Sequence, residues 1–281
     1  MARPLEGKLA IVTGGSRGIG AAVAENLASK GSNILLNYTS SSSTELATSF
    51  AKQLSTTYQI LAVPAQGDVG TPAGVAALLT TAKDNFSSAS KPLQIDIIIN
   101  NAGIARNAPL EHVTQDDFDA TYRVNVLGPI LVVQAALPYL PHDRSGRIIN
   151  LSSVSSSTGF VGQSVYGGTK AALEAMTRTW ARELAERATV NAVNPGPVEG
   201  PMYASNTPEF LEGIRGWVMH TPLMRAREGV DAEEVVRDAK ESAGRPAYTK
   251  EIAGVIGMLV GEEAGWCTGQ VVSANGGMLM H

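Results

Sequence analysis

The chain has 281 residues, 44% hydrophobic and 17% charged, a length and balance that suit one packed α/β domain and exclude a disordered chain. Its 22 Lys and Arg against 26 Asp and Glu leave a net charge of -4 without a long run of one sign, which argues against a nucleic-acid partner. A lone cysteine, Cys267, cannot form an intrachain disulfide, and with no histidine cluster beside it no metal site is expected.

The opening residues carry no signal-peptide pattern and no run approaches the length that spans a bilayer, so a cytosolic protein without a membrane partner is expected. Short apolar, β-branched runs predict seven strands at Leu9–Thr13, Asn33–Tyr38, Ile60–Val63, Ile95–Asn100, Arg147–Leu151, Val190–Val193 and Gln270–Ala274. Helical spacing falls between them at Ile19–Lys30, Glu45–Thr57, Ala73–Phe86, Phe118–Tyr139 and Val165–Arg187. Strands alternating with helices imply a doubly wound parallel sheet covered on both faces, with ligands beyond the carboxyl ends of the strands. From Pro195 to Arg245 the alternation breaks into two polar-apolar segments, Pro208–His220 and Asp231–Ser242. They read as a helical lid at roughly 197–245 within a single domain spanning 1–281.

After the first strand comes Thr13-Gly14-Gly15-Ser16-Arg17-Gly18-Ile19-Gly20, a GxxxGxG variant of the dinucleotide fingerprint. Glycines let the backbone turn and approach a pyrophosphate, which the following helix favours through its free N–H groups. The second strand ends in Asn37-Tyr38-Thr39-Ser40-Ser41. A carboxylate there would bond a ribose 2′-OH and repel a 2′-phosphate; none is present, and Arg17 stands in the adjoining loop, so NADP(H) is favoured. The alternative is that Arg17 is a solvated loop residue and Asn37–Ser43 a capping turn.

Farther on, Tyr166 and Lys170 lie four residues apart and share a helix face. An ammonium beside a phenol lowers the phenol pKa toward the working range of an acid-base catalyst. Taken with the glycine loop, Asn100-Asn101-Ala102-Gly103, Asn125-Val126-Leu127-Gly128, Ser153 and Pro195-Gly196, in this order, the pattern resembles the short-chain dehydrogenase/reductase family. The match covers nearly the whole chain and is most similar to acyl-carrier-protein ketoreductases and fungal naphthol reductases.

The resemblance implies a Rossmann-like sheet, a homotetramer or dimer, and a catalytic tetrad of Asn125, Ser153, Tyr166 and Lys170. Tyr166 donates the proton, Ser153 bonds the same substrate oxygen, Lys170 holds the nicotinamide ribose, and Asn125 holds a water that relays protons to Lys170. It also implies that Asp68 and Val69 lie against the adenine, that Asn101, Ala102 and Gly103 support the central strand beside the cofactor, and that Pro195, Gly196 and Val198 border the nicotinamide. The family usually places a Thr where this chain has Gly200, which removes one hydroxyl contact to the cofactor.

The lid carries Met202, Tyr203, Phe210, Leu211, Trp217, Met219, His220 and Met224. These suit a bulky or aromatic carbonyl substrate, and equally the core of two lid helices or a subunit contact. His220 reads as a local structural residue. The expected activity is NADPH-dependent reduction of a ketone to a secondary alcohol. Oxidation of an alcohol by the same residues and a non-catalytic dinucleotide sensor stand as alternatives.

Overall fold

The computed structural model describes residues 3–280. In chain order the elements are β1 (Leu9–Val12), α1 (Gly18–Ser29), β2 (Asn33–Tyr38), α2 (Thr44–Tyr58), β3 (Ala62–Gln66), α3 (Pro72–Phe86), β4 (Ile97–Asn100), α4 (Gln115–Tyr122), α5 (Gly128–Ala136), β5 (Gly146–Leu151), α6 (Ser164–Glu183), β6 (Ala188–Pro195), α7 (Pro201–Ala204), α8 (Pro208–His220), α9 (Glu233–Ser242), α10 (Thr249–Leu259) and β7 (Val271–Ala274). The seven strands are all parallel in the order β3-β2-β1-β4-β5-β6-β7. The order reverses between β1 and β4, so the crevice that a doubly wound sheet opens at its switch point lies beyond the ends of these two strands.

Both faces of the sheet are covered, which is why its strands read as continuous apolar runs. Ala10, Val12, Ile34, Leu36, Ile97 and Ile99 pack on one face with residues of α1, α2 and α10. Their alternate neighbours Leu9, Ile11, Leu35, Ile98 and Ile148 pack on the other with α3, α5 and Ala181 of α6. A third, smaller core joins Ile214, Val218 and Met224 of the lid to Val154 and Met278.

Three sequence expectations change. The third strand starts two residues later and ends three residues later than predicted, continuing through Pro64, which pairs with Leu36; Pro64 is tolerated on an edge strand, where its missing N–H breaks no inner ladder. The predicted helix Phe118–Tyr139 divides into α4, a π-helical turn Arg123–Leu127, and α5. Pro129 supplies the cause, since it has no N–H for the carbonyl four residues back, that of Asn125. Finally, Gln115–Tyr139 is long and apolar enough by length and composition to cross a membrane, contrary to the expectation that no run is. Val132, Val133 and Ala136 within it are buried in the core below the sheet, which accounts for part of that apolarity.

Candidate active site

A cleft of about 760 Å³ opens at the carboxyl ends of the strands. Gly14, Ser16, Arg17, Gly18 and Ile19 line one part of it, and the N-cap residue Arg17 does not cap α1 with its side chain, which leaves the first N–H groups of the helix open to an anion. Gly20 does not reach the cleft. A Cβ there would come within 2.3 Å of the Gly14 carbonyl oxygen, so this glycine lets the loop close on its own helix. Asn101 braces the loop from below: its Nδ2 donates to the carbonyls of Thr13 and Gly14 at 2.9 and 3.1 Å. The Thr13 hydroxyl in turn accepts from the N–H groups of Asn101 and Ala102, both at 3.0 Å.

Of the residues predicted after β2, Tyr38, Thr39 and Ser40 line the cleft and Ser43 joins them, whereas Asn37 and Ser41 do not. Asn37 is fully buried; its Oδ1 accepts from the Gly14 N–H at 3.3 Å and its Nδ2 donates to the Gly67 carbonyl at 3.0 Å. It ties the glycine loop to the end of β3 and is a brace, not a contact. Arg17 is exposed on the cleft rim with no ion-pair partner among the described residues.

Asp68 and Val69 also line the cleft. Asp68 accepts from the Gly70 N–H at 2.9 Å and from Arg123 Nη1 at 2.6 Å. Burial alone would raise its pKa, but these two bonds and the Arg123 charge hold the carboxyl below its usual range. Arg123 was not anticipated from sequence, and it lines the cleft as well.

The catalytic candidates meet where β5, α6 and the turn after α4 converge. Tyr166 is 9% exposed, Lys170 4% and Asn125 fully buried. Burial pushes the Tyr166 phenol up to about 12, with the nearby Ser153 hydroxyl acting in the opposite direction. Lys170 Nζ lies 5.5 Å from the centre of the Tyr166 ring and donates to the Leu151 carbonyl at 2.7 Å; burial lowers its pKa to about 8. The expected depression of the phenol pKa by Lys170 is not found: desolvation dominates, and the phenol holds its proton through the neutral range. Ser153 heads a short turn, accepting from the Ser155 N–H at 3.2 Å.

The Asn125 side chain is fully committed: Nδ2 donates to the Ile104 carbonyl at 2.9 Å and to Thr169 Oγ1 at 3.1 Å, while Oδ1 accepts from the Ile104 N–H at 2.9 Å. It clamps the loop after β4 to α6. Gly103, just before Ile104, brings that loop close to Lys170.

Pro195, Gly196 and Val198 line the cleft beyond β6. Gly200 has φ 129° and ψ -179°, a conformation that strains any residue with a Cβ, so a Thr would be disfavoured on this backbone. Glu199 lines the cleft as well, and its Oε1 accepts from the Thr249 N–H at the start of α10 at 3.0 Å.

A family model described as short chain dehydrogenase matches residues 8–210. The chain belongs to the short-chain dehydrogenase family. Like other members of this family it is an oxidoreductase that uses a nicotinamide dinucleotide. Among curated short-chain dehydrogenases it is 53% identical to an L-xylulose reductase of Aspergillus niger, over 99% of each chain. It is 49% identical to an L-xylo-3-hexulose reductase of Hypocrea jecorina, over 100% of this chain and 99% of the other. Among solved structures it is similar to an angucycline C-6 ketoreductase with bound NADP, at 30% identity and TM-score 0.83 over 100% of this chain and 99% of the other. A metagenomic blue fluorescent protein in complex with NADPH gives 33% identity and TM-score 0.82 over 99% of this chain and 100% of that one.

Within the short-chain dehydrogenase site, sequence reasoning missed Glu174. Its Oε1 accepts from Ser152 Oγ at 2.6 Å, Ser156 Oγ at 2.7 Å and Asn194 Nδ2 at 3.2 Å, tying α6 to the ends of β5 and β6 on either side of Ser153. The signal was available in its spacing, since Tyr166, Lys170 and Glu174 follow at intervals of four along one helix face. Of the lid residues, Met202, Tyr203 and Phe210 line the cleft, Met224 is buried in the lid core, and Met219 and His220 are exposed away from it.

Proposed function

We propose that this chain reduces the keto group of a short hydroxylated chain, a ketose, to a secondary alcohol with NADPH. The observation that carries the chemistry is the buried Tyr166 phenol on the wall of the cleft that Ser153 and Lys170 also line, its proton held by burial. Tyr166 delivers its proton to the carbonyl oxygen as negative charge grows there, and Ser153 stabilises the same oxygen. When bound, NADPH supplies the hydride. Lys170, anchored by the Leu151 carbonyl, holds the ribose side of the site and takes part in replacing the proton. The Asn125 carbonyl, which has no α-helical donor because residue 129 is Pro, receives the relay water in place of the occupied side chain.

The preference for NADPH rests on the absence of a carboxylate at the end of β2 and on Arg17 at the rim, beside Tyr38, Thr39 and Ser40. It is supported by the bound NADP and NADPH of two structural neighbours. The ketose reading is supported by full-length identity to reductases of L-xylulose and L-xylo-3-hexulose, and by the polar groups of Ser155, Gln163 and Asn206 in the same cleft.

A second reading, a bulky aromatic ketone, is favoured by the edge-to-face cluster of Phe160 with Phe210 and Trp217. NADPH consumption with L-xylulose, L-xylo-3-hexulose and a polycyclic aromatic ketone separates the two. A kcat/KM for either ketose at least tenfold above the aromatic ketone supports the first reading, and the reverse ranking the second. We further propose that copies of this chain associate, since Trp266 is fully exposed and Met258 and Met280 are largely so; light scattering reads the mass.

A further inference from the structure

Gln163 stands three residues before Tyr166, at the N-cap of α6, yet its side chain does not cap the helix. It is 8% exposed, lines the cleft, and its Oε1 has no hydrogen-bond partner among the described residues. Its backbone is fully used: the N–H donates to the Phe160 carbonyl at 3.2 Å and the carbonyl accepts from the Gly167 N–H at 2.7 Å. The residue is therefore held in place while its amide is left unspent. Buried amides without partners are rare and costly, and where one faces a ligand cavity the ligand is the natural partner.

Two neighbours fix the setting. The Ala108 N–H donates to the Gly162 carbonyl at 2.9 Å, so the loop after β4 closes against the segment that carries Gln163. Phe160 and Ile214 add apolar walls on the lid side of the same cleft. Gln163, the N-cap residue, and Tyr166, in the first turn of α6, line the same cleft. A group meeting Gln163 thus lies near the carbonyl that Tyr166 protonates.

We infer that Gln163 is a specificity residue that binds a hydroxyl group of the substrate close to its carbonyl. A hydroxyl both donates and accepts, so it satisfies whichever end of the amide faces it. A plain ketone leaves the amide unpaired and is selected against, because a site built to bond a hydroxyl rejects the analogue that lacks it. This inference rests on the ketose reading and says which residue enforces it.

The test compares L-xylulose with 2-pentanone, a ketone of the same chain length without hydroxyls, for the wild type and Gln163→Met, which keeps the side-chain length and removes the amide. The expected result is a fall of roughly tenfold to a hundredfold in the ratio of kcat/KM for L-xylulose to that for 2-pentanone, with the NADPH dissociation constant unchanged. A variant whose ratio stays within threefold of wild type overturns the inference while leaving the ketose reading intact. Equal losses on both substrates, or loss of NADPH binding, assign Gln163 a structural role and overturn it as well. A wild type that prefers 2-pentanone overturns the ketose reading, and this inference with it.

Discussion

The Lys170 ammonium donates to the Leu151 carbonyl at 2.7 Å inside a site where the lysine is only 4% exposed. One hydrogen bond does not offset the loss of water, and the pKa falls from 10.5 to about 8. The folded state therefore releases this proton near pH 8, whereas the unfolded chain keeps it until about 10.5. Between these values the unfolded state binds more protons, so the stability contributed by Lys170 rises with pH. Relative to Lys170→Met, the wild type should gain on the order of 2 kcal/mol in urea unfolding between pH 7 and pH 10. A difference that stays constant or shrinks over that window would show that the lysine is not desolvated as described.

Arg17 carries the cofactor choice. Arg17→Ala should raise the KM for NADPH by roughly tenfold to a hundredfold, the loss of one or two charge-assisted bonds to a phosphate, while changing the KM for NADH by less than about threefold. Parallel steady-state kinetics with both cofactors read this directly. Equal effects on the two would move Arg17 from the 2′-phosphate to a general role in the loop.

At Gly200 the backbone itself explains the departure from the family pattern. With φ at 129°, Gly200→Thr should cost about 1–3 kcal/mol in unfolding free energy and should not tighten NADPH binding. A stable Thr variant with improved affinity would mean that the loop adopts another conformation when the cofactor is present.

Glu174 is a structural brace with three donors on one oxygen. Glu174→Ala leaves the Ser152 and Asn194 groups, both buried, without that acceptor and should cost about 2–4 kcal/mol. Chemical denaturation of the variant beside Glu174→Gln, which keeps one acceptor oxygen, checks it: the Gln variant should retain part of the lost stability.

What was legible in the sequence was local. The glycine loop and the Tyr166–Lys170 pair announce themselves because their parts sit within one turn or one helix face. The strand pattern was legible for a related reason, since strands buried on both sides must be apolar throughout, as Ile97, Ile98 and Ile99 are. Asn37 was misjudged because its place beside the cofactor loop says nothing of its direction, and its amide turns inward to Gly14 and Gly67. The helix α10 was missed because Gly254 and Gly257 weaken its local signal. It is held instead by tertiary contacts, among them Lys30 Nζ donating to the Gly257 carbonyl at 2.6 Å. Gln163 and Glu174 gained their meaning only when segments far apart in the chain were brought around Tyr166.

The most direct measurement is the initial rate of NADPH oxidation in the presence of L-xylulose for the wild type and Tyr166→Phe, with cofactor binding to both checked by fluorescence. The account predicts steady consumption by the wild type and a rate roughly 10²–10⁴-fold lower in the variant, with NADPH still bound. A variant within tenfold of wild type would contradict Tyr166 as the proton donor, and a wild type that binds NADPH but reduces no ketose would contradict the proposed reaction.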